Sequence, residues 1–302
     1  MGLGDDIMAT AYARATIEAL AKEGQTDVKC VFGNNDPAHA DYFDDTKNGA
    51  LKVHWSEVFL NNPNIYQPGD APCHLIGIPD YPGHRTYIDY NACTAKGGNI
   101  ERFAWSRDFK AQVGEIYFDD NEKSGASETA SRMPSEFIII EPNVATKGWT
   151  NKKAWQFDKF QAVVDALPEI QFVQFQNGYE LQNVFHINSP RFRDACAILS
   201  VAGAFIGTDG GLHHAAAALN IPAVVLWGHF TSPDILGYKD HINLSHETNH
   251  GCGWITEDGC DKCDGSVDRI EIDEVIGAIR ELVADGRLSQ SRRPVSIFEM
   301  VD

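Results

Sequence analysis

An α/β protein built on parallel sheets is the fold class that the sequence predicts, and three observations carry it. Short β-rich runs alternate with helical patterns through the second half at the spacing of βαβ units. Those runs are apolar at consecutive positions, as strands buried on both faces are. The chain has 302 residues, 43% hydrophobic and 23% charged, which is ordinary globular composition at about twice the usual single-domain length.

The predicted strands are Phe137 to Glu141, Ile170 to Phe175, Ala204 to Gly207 and Ala223 to Gly228. Between them, Trp155 to Leu167 sets Trp155, Phe160, Val163, Val164 and Leu167 near one stripe, and Arg191 to Val201 and the Ala-rich Gly211 to Leu219 read as further helices. Ile272 to Val283 closes the pattern with one apolar face. In the first half, Asp5 to Lys22 reads as a helix ended by Gly24, followed by a strand at Val28 to Phe32. Asn61 to Pro82 is rich in Pro, Gly and Asn and reads as loop, Ile100 to Val113 as a helix, and Glu115 to Phe118 as a strand. The polar stretch 119–136 reads as an interdomain linker, dividing the chain into residues 1–134 and 135–302.

Acidic residues outnumber basic ones by 43 to 25, a formal charge of −18. Such a surface repels nucleic-acid backbones and anionic lipids, so a phosphorylated ligand must be held locally by backbone N–H groups and one or two cations. No apolar run reaches the length of a bilayer crossing, and the start of the chain carries no export signal, so a cytoplasmic location with reduced thiols is expected. Four of the seven cysteines are scattered; Cys252, Cys260 and Cys263 cluster near His246 and His250. That spacing permits a metal, but only one Cys-x-x-Cys is present, and the expectation is a reduced cysteine loop without metal.

Three constellations bear chemistry. Gly207-Thr208-Asp209-Gly210-Gly211-Leu212-His213-His214 leaves a strand, turns on glycines and enters a helix, the position where open parallel sheets bind diphosphates. Asp209 either accepts from sugar hydroxyls or caps the helix, and adjacent helical histidines point about 100° apart, so at most one faces a ligand. After the strand at 137–141, Asn143 and Thr146 offer hydrogen bonds and Lys147 a cation for a phosphate, against the ordinary reading of a solvated lysine, for which Lys152 and Lys153 are the nearest examples. At the N-terminus, Gly4-Asp5 runs into a helix; Asp5 is either its N-cap or a carboxylate able to take a proton from an acceptor hydroxyl.

Taken together, Gly4-Asp5 with Thr10, Lys147-Gly148-Trp149, Asp209 to Ala216 and Ile221 to Gly228 resemble glycosyltransferase family 9, the heptosyltransferase-like enzymes. The resemblance implies a GT-B architecture, with two Rossmann-like domains facing across a cleft, the acceptor on 1–134 and the nucleotide sugar on 135–302. It also implies roles by position: Asp5 the general base, Lys147 a contact to the donor phosphates, Asp209 near the donor sugar and His214 the histidine of that helix; Gly4, Gly210 and Gly211 are expected to bind substrate beside them. The family pattern has a strand before the Gly-Asp turn, which here would precede Met1, so the first sheet is expected to lack an edge or the chain to be shortened there.

The function so implied is metal-independent, inverting transfer of a sugar, heptose-like or another hexose, from a nucleotide-diphosphate sugar to an acceptor hydroxyl. The acceptor is a glycan, a lipid-linked molecule or a protein; the acidic surface argues against lipopolysaccharide. A GT-B epimerase or a non-catalytic sugar-nucleotide-binding protein would share the donor pocket and differ on the acceptor side.

Overall fold

The computed structural model describes residues 2–33, 41–45, 49–71, 73–78, 86–133, 136–144, 152–246, 251–255, 260, 262–263 and 265–286, with the backbone alone at 41–45 and 49–52. The chain opens with helix α1 (Leu3–Lys22). It begins two residues before the expected start, with Gly2 as N-cap, so Asp5 is not the cap. Asp5 and Asp6 sit in the first turn and Lys22 in the last, each complementing the helix dipole. Gly24, at φ +85°, ends the helix: its N–H reaches Ala21 O while Gln25 N–H reaches Leu20 O.

Strands β1 (Val28–Phe32), β2 (Asp41–Asp45), β3 (Gly49–Val53), β4 (His74–Ile78), β5 (Thr94–Lys96) and β6 (Asn99–Arg102) follow. Among the described residues, β1 and β4 form a parallel pair and β2–β3 and β5–β6 are antiparallel hairpins. Two expectations fail here. Gly97 and Gly98, both at positive φ, make the turn of the β5–β6 hairpin, so 100–113 begins as a strand and continues without a helix. Residues 115–118 are not a strand; Glu115 N–H donates to Thr10 Oγ1, and Gly114 lies directly against the Ile7 carbonyl. The stretch read as a linker is largely helix α2 (Asp120–Ser131), packed on a later helix. Its start is a reciprocal cap: Glu122 N–H donates to Asp119, and Asp119 N–H to Glu122.

The second half follows the expected order: β7 (Phe137–Glu141), α3 (Phe157–Ala166), β8 (Gln171–Phe175), β9 (Phe185–Ile187), α4 (Phe192–Leu199), β10 (Ala204–Thr208), α5 (Gly211–Ala218), β11 (Ala223–Leu226), α6 (Pro233–Leu236), β12 (Ile242–Leu244) and α7 (Ile272–Ala284). Six strands form one parallel sheet in the order β12-β11-β10-β7-β8-β9. In order along the chain, this is the 3-2-1-4-5-6 arrangement of a Rossmann sheet, whose direction of winding reverses between β7 and β10.

The strands divide their side chains between two cores with period two. Phe137, Ile139, Val173, Phe175, Phe205 and Val225 pack with α1, α4, α5 and the aromatics Phe32, Phe59 and Tyr87 of the first half. Ile138, Ile140, Phe172, Ile206, Val224 and Leu226 pack under α3 and α7. Arg193, 1% exposed, binds the halves further: its guanidinium donates to the Glu122 carboxylate and to the carbonyls of Glu57 and Tyr117. Among the described residues, no helix is long and apolar enough to cross a membrane.

Candidate functional site at the sheet reversal

The strand order reverses between β7 and β10, and the crevice at the carboxyl ends of strands so placed is where such sheets take ligands. Glu141 and Gly207 are partners in register at that edge. Asp209 follows at once and is 4% exposed. Its Oδ2 accepts from Lys153 Nζ at 2.6 Å and from Thr231 Oγ1 at 2.6 Å. Burial alone would raise its pKa; the Lys153 charge, His213 and the two hydrogen bonds outweigh burial and hold the carboxyl well below the usual range. Asp209 is therefore not the N-cap of α5, a position held by Gly210.

Lys153 is thus a correction. It is ion-paired with Asp209, its side chain 16% exposed, rather than a solvated lysine, and Lys152 is buried. Thr146 and Lys147 lie outside the described residues. The signal for Lys153 was present, because Lys-x-Trp occurs twice, at 147–149 and 153–155. The second copy is anchored by Trp155, 1% exposed, whose Nε1 donates to Ile270 O.

Both histidines of α5 are buried. His213 Nδ1 accepts from Gly210 N–H at 3.1 Å, which leaves Nε2 as the donor to Leu236 O at 3.2 Å. His214 Nδ1 meets the Tyr238 hydroxyl at 2.8 Å. Burial pushes both rings below their ordinary pKa, so they are neutral at pH 7. A Cβ at Gly4 would stand 2.5 Å from His214 Cδ2, so the start of α1 rests directly on the start of α5. Gly211 faces Phe192 and Gly4 in the same contact. Gly4, Asp209, Gly210, Gly211 and His214 therefore belong to one neighbourhood.

Asp5 lies one residue past Gly4 in the first turn of α1. Its Oδ1 accepts from the Tyr87 hydroxyl and its Oδ2 from Gly2 N–H at 3.3 Å. The neighbouring Asp6, 4% exposed, is paired with His54 Nε2 at 2.9 Å. Asn143 is committed to the crevice wall: its amide donates to Glu141, Asn177 and the Tyr179 carbonyl and accepts from Tyr179 N–H. Glu141 was not singled out in the sequence. Burial pushes its carboxyl up to about 7 against the hydrogen bonds from Asn143 and Asn177, which makes it a proton-holding group at the crevice.

The family model of glycosyltransferase family 9 (heptosyltransferase) matches residues 187–259, the segment from β9 through Asp209, α5 and the loops beyond β11. The resemblance read from residues 209–228 stands on that match. No curated protein matches the chain. Among solved structures, the chain is similar to E. coli ADP-heptose lps heptosyltransferase II at 19% identity, covering 58% of this chain and 55% of that one, TM-score 0.44. It is similar to the family 9 glycosyl transferase of Veillonella parvula at 16% identity, covering 58% and 55%, TM-score 0.43. The dodecameric iron-containing heptosyltransferase TibC of enterotoxigenic E. coli, in complex with ADP-D-beta-D-heptose, matches at 15% identity over 73% and 61%, TM-score 0.44. The chain spans little more than half the length of the first two.

Proposed function

We propose that the chain transfers a sugar, heptose-like or another hexose, from a nucleotide-diphosphate sugar to an acceptor hydroxyl with inversion. The observation that carries the reading is the Lys153–Asp209–Thr231 cluster at the β7/β10 reversal, with Gly4-Asp5 seated against the helix that follows. The donor lies on residues 135–302, its diphosphate in the crevice near Lys153 and Lys147, and Asp209 and Thr231 meet the sugar. The acceptor lies on residues 1–134. Asp5 takes the proton of the acceptor hydroxyl, the acceptor oxygen bonds to the anomeric carbon, and the bond from that carbon to the phosphate oxygen breaks on the opposite face. The nucleoside diphosphate leaves with its new charge offset by lysine and by backbone N–H groups. The step as proposed is metal-independent, with lysine and backbone N–H groups offsetting the leaving charge. A cytoplasmic location, expected from the cysteine pattern, goes with this reading.

Turnover separates it from a binding module. A panel of nucleotide-diphosphate sugars headed by ADP-heptose, the donor named for the TibC complex, is scored for binding by thermal shift and for nucleoside-diphosphate release with candidate acceptors. Asp5→Asn keeps the oxygen that accepts from Tyr87 or Gly2 but cannot take a proton, so turnover drops by about 10² to 10⁴ while donor binding and melting stay near wild type. Unchanged turnover in the variant removes Asp5 from the mechanism; donor binding with no turnover on any acceptor favours the binding module.

A further inference from the structure

Asp5 is held by more than its own helix. It is half-buried in the first turn of α1, where its Oδ2 accepts from Gly2 N–H and its Oδ1 from the hydroxyl of Tyr87, 82 residues along the chain. The same turn is fixed on either side: Gly4 lies against His214, and Asp6 is paired with His54. With the backbone so placed, what remains to be set at Asp5 is its side-chain torsions, and the hydrogen bonds to its two oxygens set them.

Tyr87 in turn is placed by residues 101–111, which run as a strap from the first half onto the second. Ser106 N–H donates to Tyr87 O at 2.9 Å and Asp89 N–H to Ala104 O at 2.8 Å, with Ile88 and Trp105 bridged antiparallel. The Tyr87 ring, 8% exposed, stacks on Trp105 at 6.1 Å and meets Phe109 at 5.8 Å. Trp105 crosses to the second half: its Nε1 donates to Phe230 O at 3.2 Å, and its ring meets the Phe230 ring edge-on at 5.5 Å. Phe230 precedes Thr231, whose hydroxyl donates to Asp209. The strap is fastened on both sides of Trp105, by Phe103 N–H to Gly253 O at 2.8 Å and by Ala111 N–H to Ile235 O at 2.9 Å. Arg102 Nε also donates to the carbonyl of Cys252, whose sulfur is bonded to that of Cys263, so this loop is not the reduced one expected from its spacing.

Packing alone does not need the Tyr87 hydroxyl, since a phenyl ring would fill the same place between Trp105 and Phe109. The hydroxyl adds a directed, charge-assisted bond to one carboxylate oxygen, from a ring tied to the loop that carries Thr231 to Asp209. We propose that Tyr87 is a positioning residue for the sugar transfer: it aims the Asp5 carboxylate at the acceptor hydroxyl and, through Trp105, keeps it in register with the Asp209 side of the crevice. This role rests on the reading of Asp5 as the general base. A carboxylate accepts about four hydrogen bonds, so the bonds from Tyr87 and Gly2 are compatible with one from the acceptor. The acceptor's proton passes to Asp5, and Tyr87 keeps its own.

Tyr87→Phe, Asp5→Asn and the double variant test the role by steady-state kinetics, with the panel donor and acceptor that wild type turns over, beside thermal melts. Tyr87→Phe keeps the ring and its stacking, so it should melt within about 5 °C of wild type. Its kcat should fall about 10- to 100-fold, the scale of a misaimed catalytic group, while the donor KM stays within about twofold. The double variant should be no slower than Asp5→Asn, because the base that Tyr87 aims is already gone. A slow Asp5→Asn with Tyr87→Phe at the wild-type rate, or losses that multiply in the double variant, overturns the role of Tyr87 and leaves Asp5 as the base. Asp5→Asn as fast as wild type, or no turnover by wild type on any acceptor, overturns the reading of Asp5 and the role of Tyr87 with it. Should Tyr87→Phe melt below the assay temperature, Trp105→Phe replaces it, keeping an aromatic ring but losing the donor to Phe230 O. A several-fold drop in kcat at unchanged donor KM then supports the role, and wild-type kcat overturns it.

Discussion

Lys153 Nζ lies 2.6 Å from Asp209 Oδ2, and this one ion pair joins the loop after β7 to the carboxyl end of β10 across the reversal of the sheet. The side chains are 16% and 4% exposed, so neither charge is well hydrated. Removing the lysine therefore strands a buried carboxylate. Lys153→Met should cost about 3 to 5 kcal/mol of stability, and Lys153→Met with Asp209→Asn should recover most of that loss. Binding behaves otherwise: both variants should bind a nucleoside diphosphate more weakly than wild type and differ little in affinity for the nucleoside. Denaturant melts with calorimetry on the two variants check this. A double variant that regains diphosphate affinity along with stability would make the pair purely structural.

Stability should fall as the solution is acidified from neutral. His213, His214 and His241 are neutral in the fold because burial holds their pKa below 6.5, His241 at about 3. Below about pH 6.5 the unfolded chain takes up protons at these positions that the folded chain resists, so their contribution is present above that value and lost beneath it. Glu141 works the other way: raised to about 7, it holds a proton in the fold between about 4.5 and 7 and offsets about one of them. Each full proton of net difference adds about 1.4 kcal/mol per pH unit to the slope. Asp209, with its depressed pKa, adds stability above the ordinary carboxylate value that is lost below it. Urea midpoints at pH 7.5, 6.5 and 5.5 measure the slope, and His241→Gln should flatten it by about one proton. A midpoint that holds or rises on acidification would contradict the neutral-histidine assignment.

How much of this was legible in the chain follows from what each signal depends on. β7, β8, β10 and β11 are short apolar runs buried on both faces, a pattern that needs no knowledge of neighbours. β9 and β12 are three residues each at the sheet edges, too short for any period to emerge. In the first half the two-glycine turn at 97–98 and the Asp119–Glu122 cap were local signals, outweighed by apolar spacing in 100–113 and by polarity in 119–136. The glycine-rich turn before α5 was readable because its chemistry is contiguous. Thr231 was not, because it reaches Asp209 only through the crossing of loops from different strands, and Lys153 was signalled only by the second Lys-x-Trp.

Gly4 offers the sharpest test of how the two halves meet. A Cβ there would stand 2.5 Å from His214 Cδ2, 3.3 Å from Nε2 and 3.4 Å from the Gly211 backbone. The imidazole is 4% exposed and held at Nδ1 by Tyr238, so it has little room to swing aside. Gly4→Ala gains at most about 1 kcal/mol of helix propensity, against about 1 to 3 kcal/mol for overpacking a close contact. The variant should be less stable, and lifting α1 should also move Asp5, lowering kcat more than donor affinity. His214→Ala removes the obstructing ring, so in the double variant the Gly4→Ala penalty should shrink or change sign, a coupling that melts of the four-member cycle read directly. Additive penalties would mean that the two residues are not in contact, and the placement of Asp5 beside the donor crevice would lose its anchor.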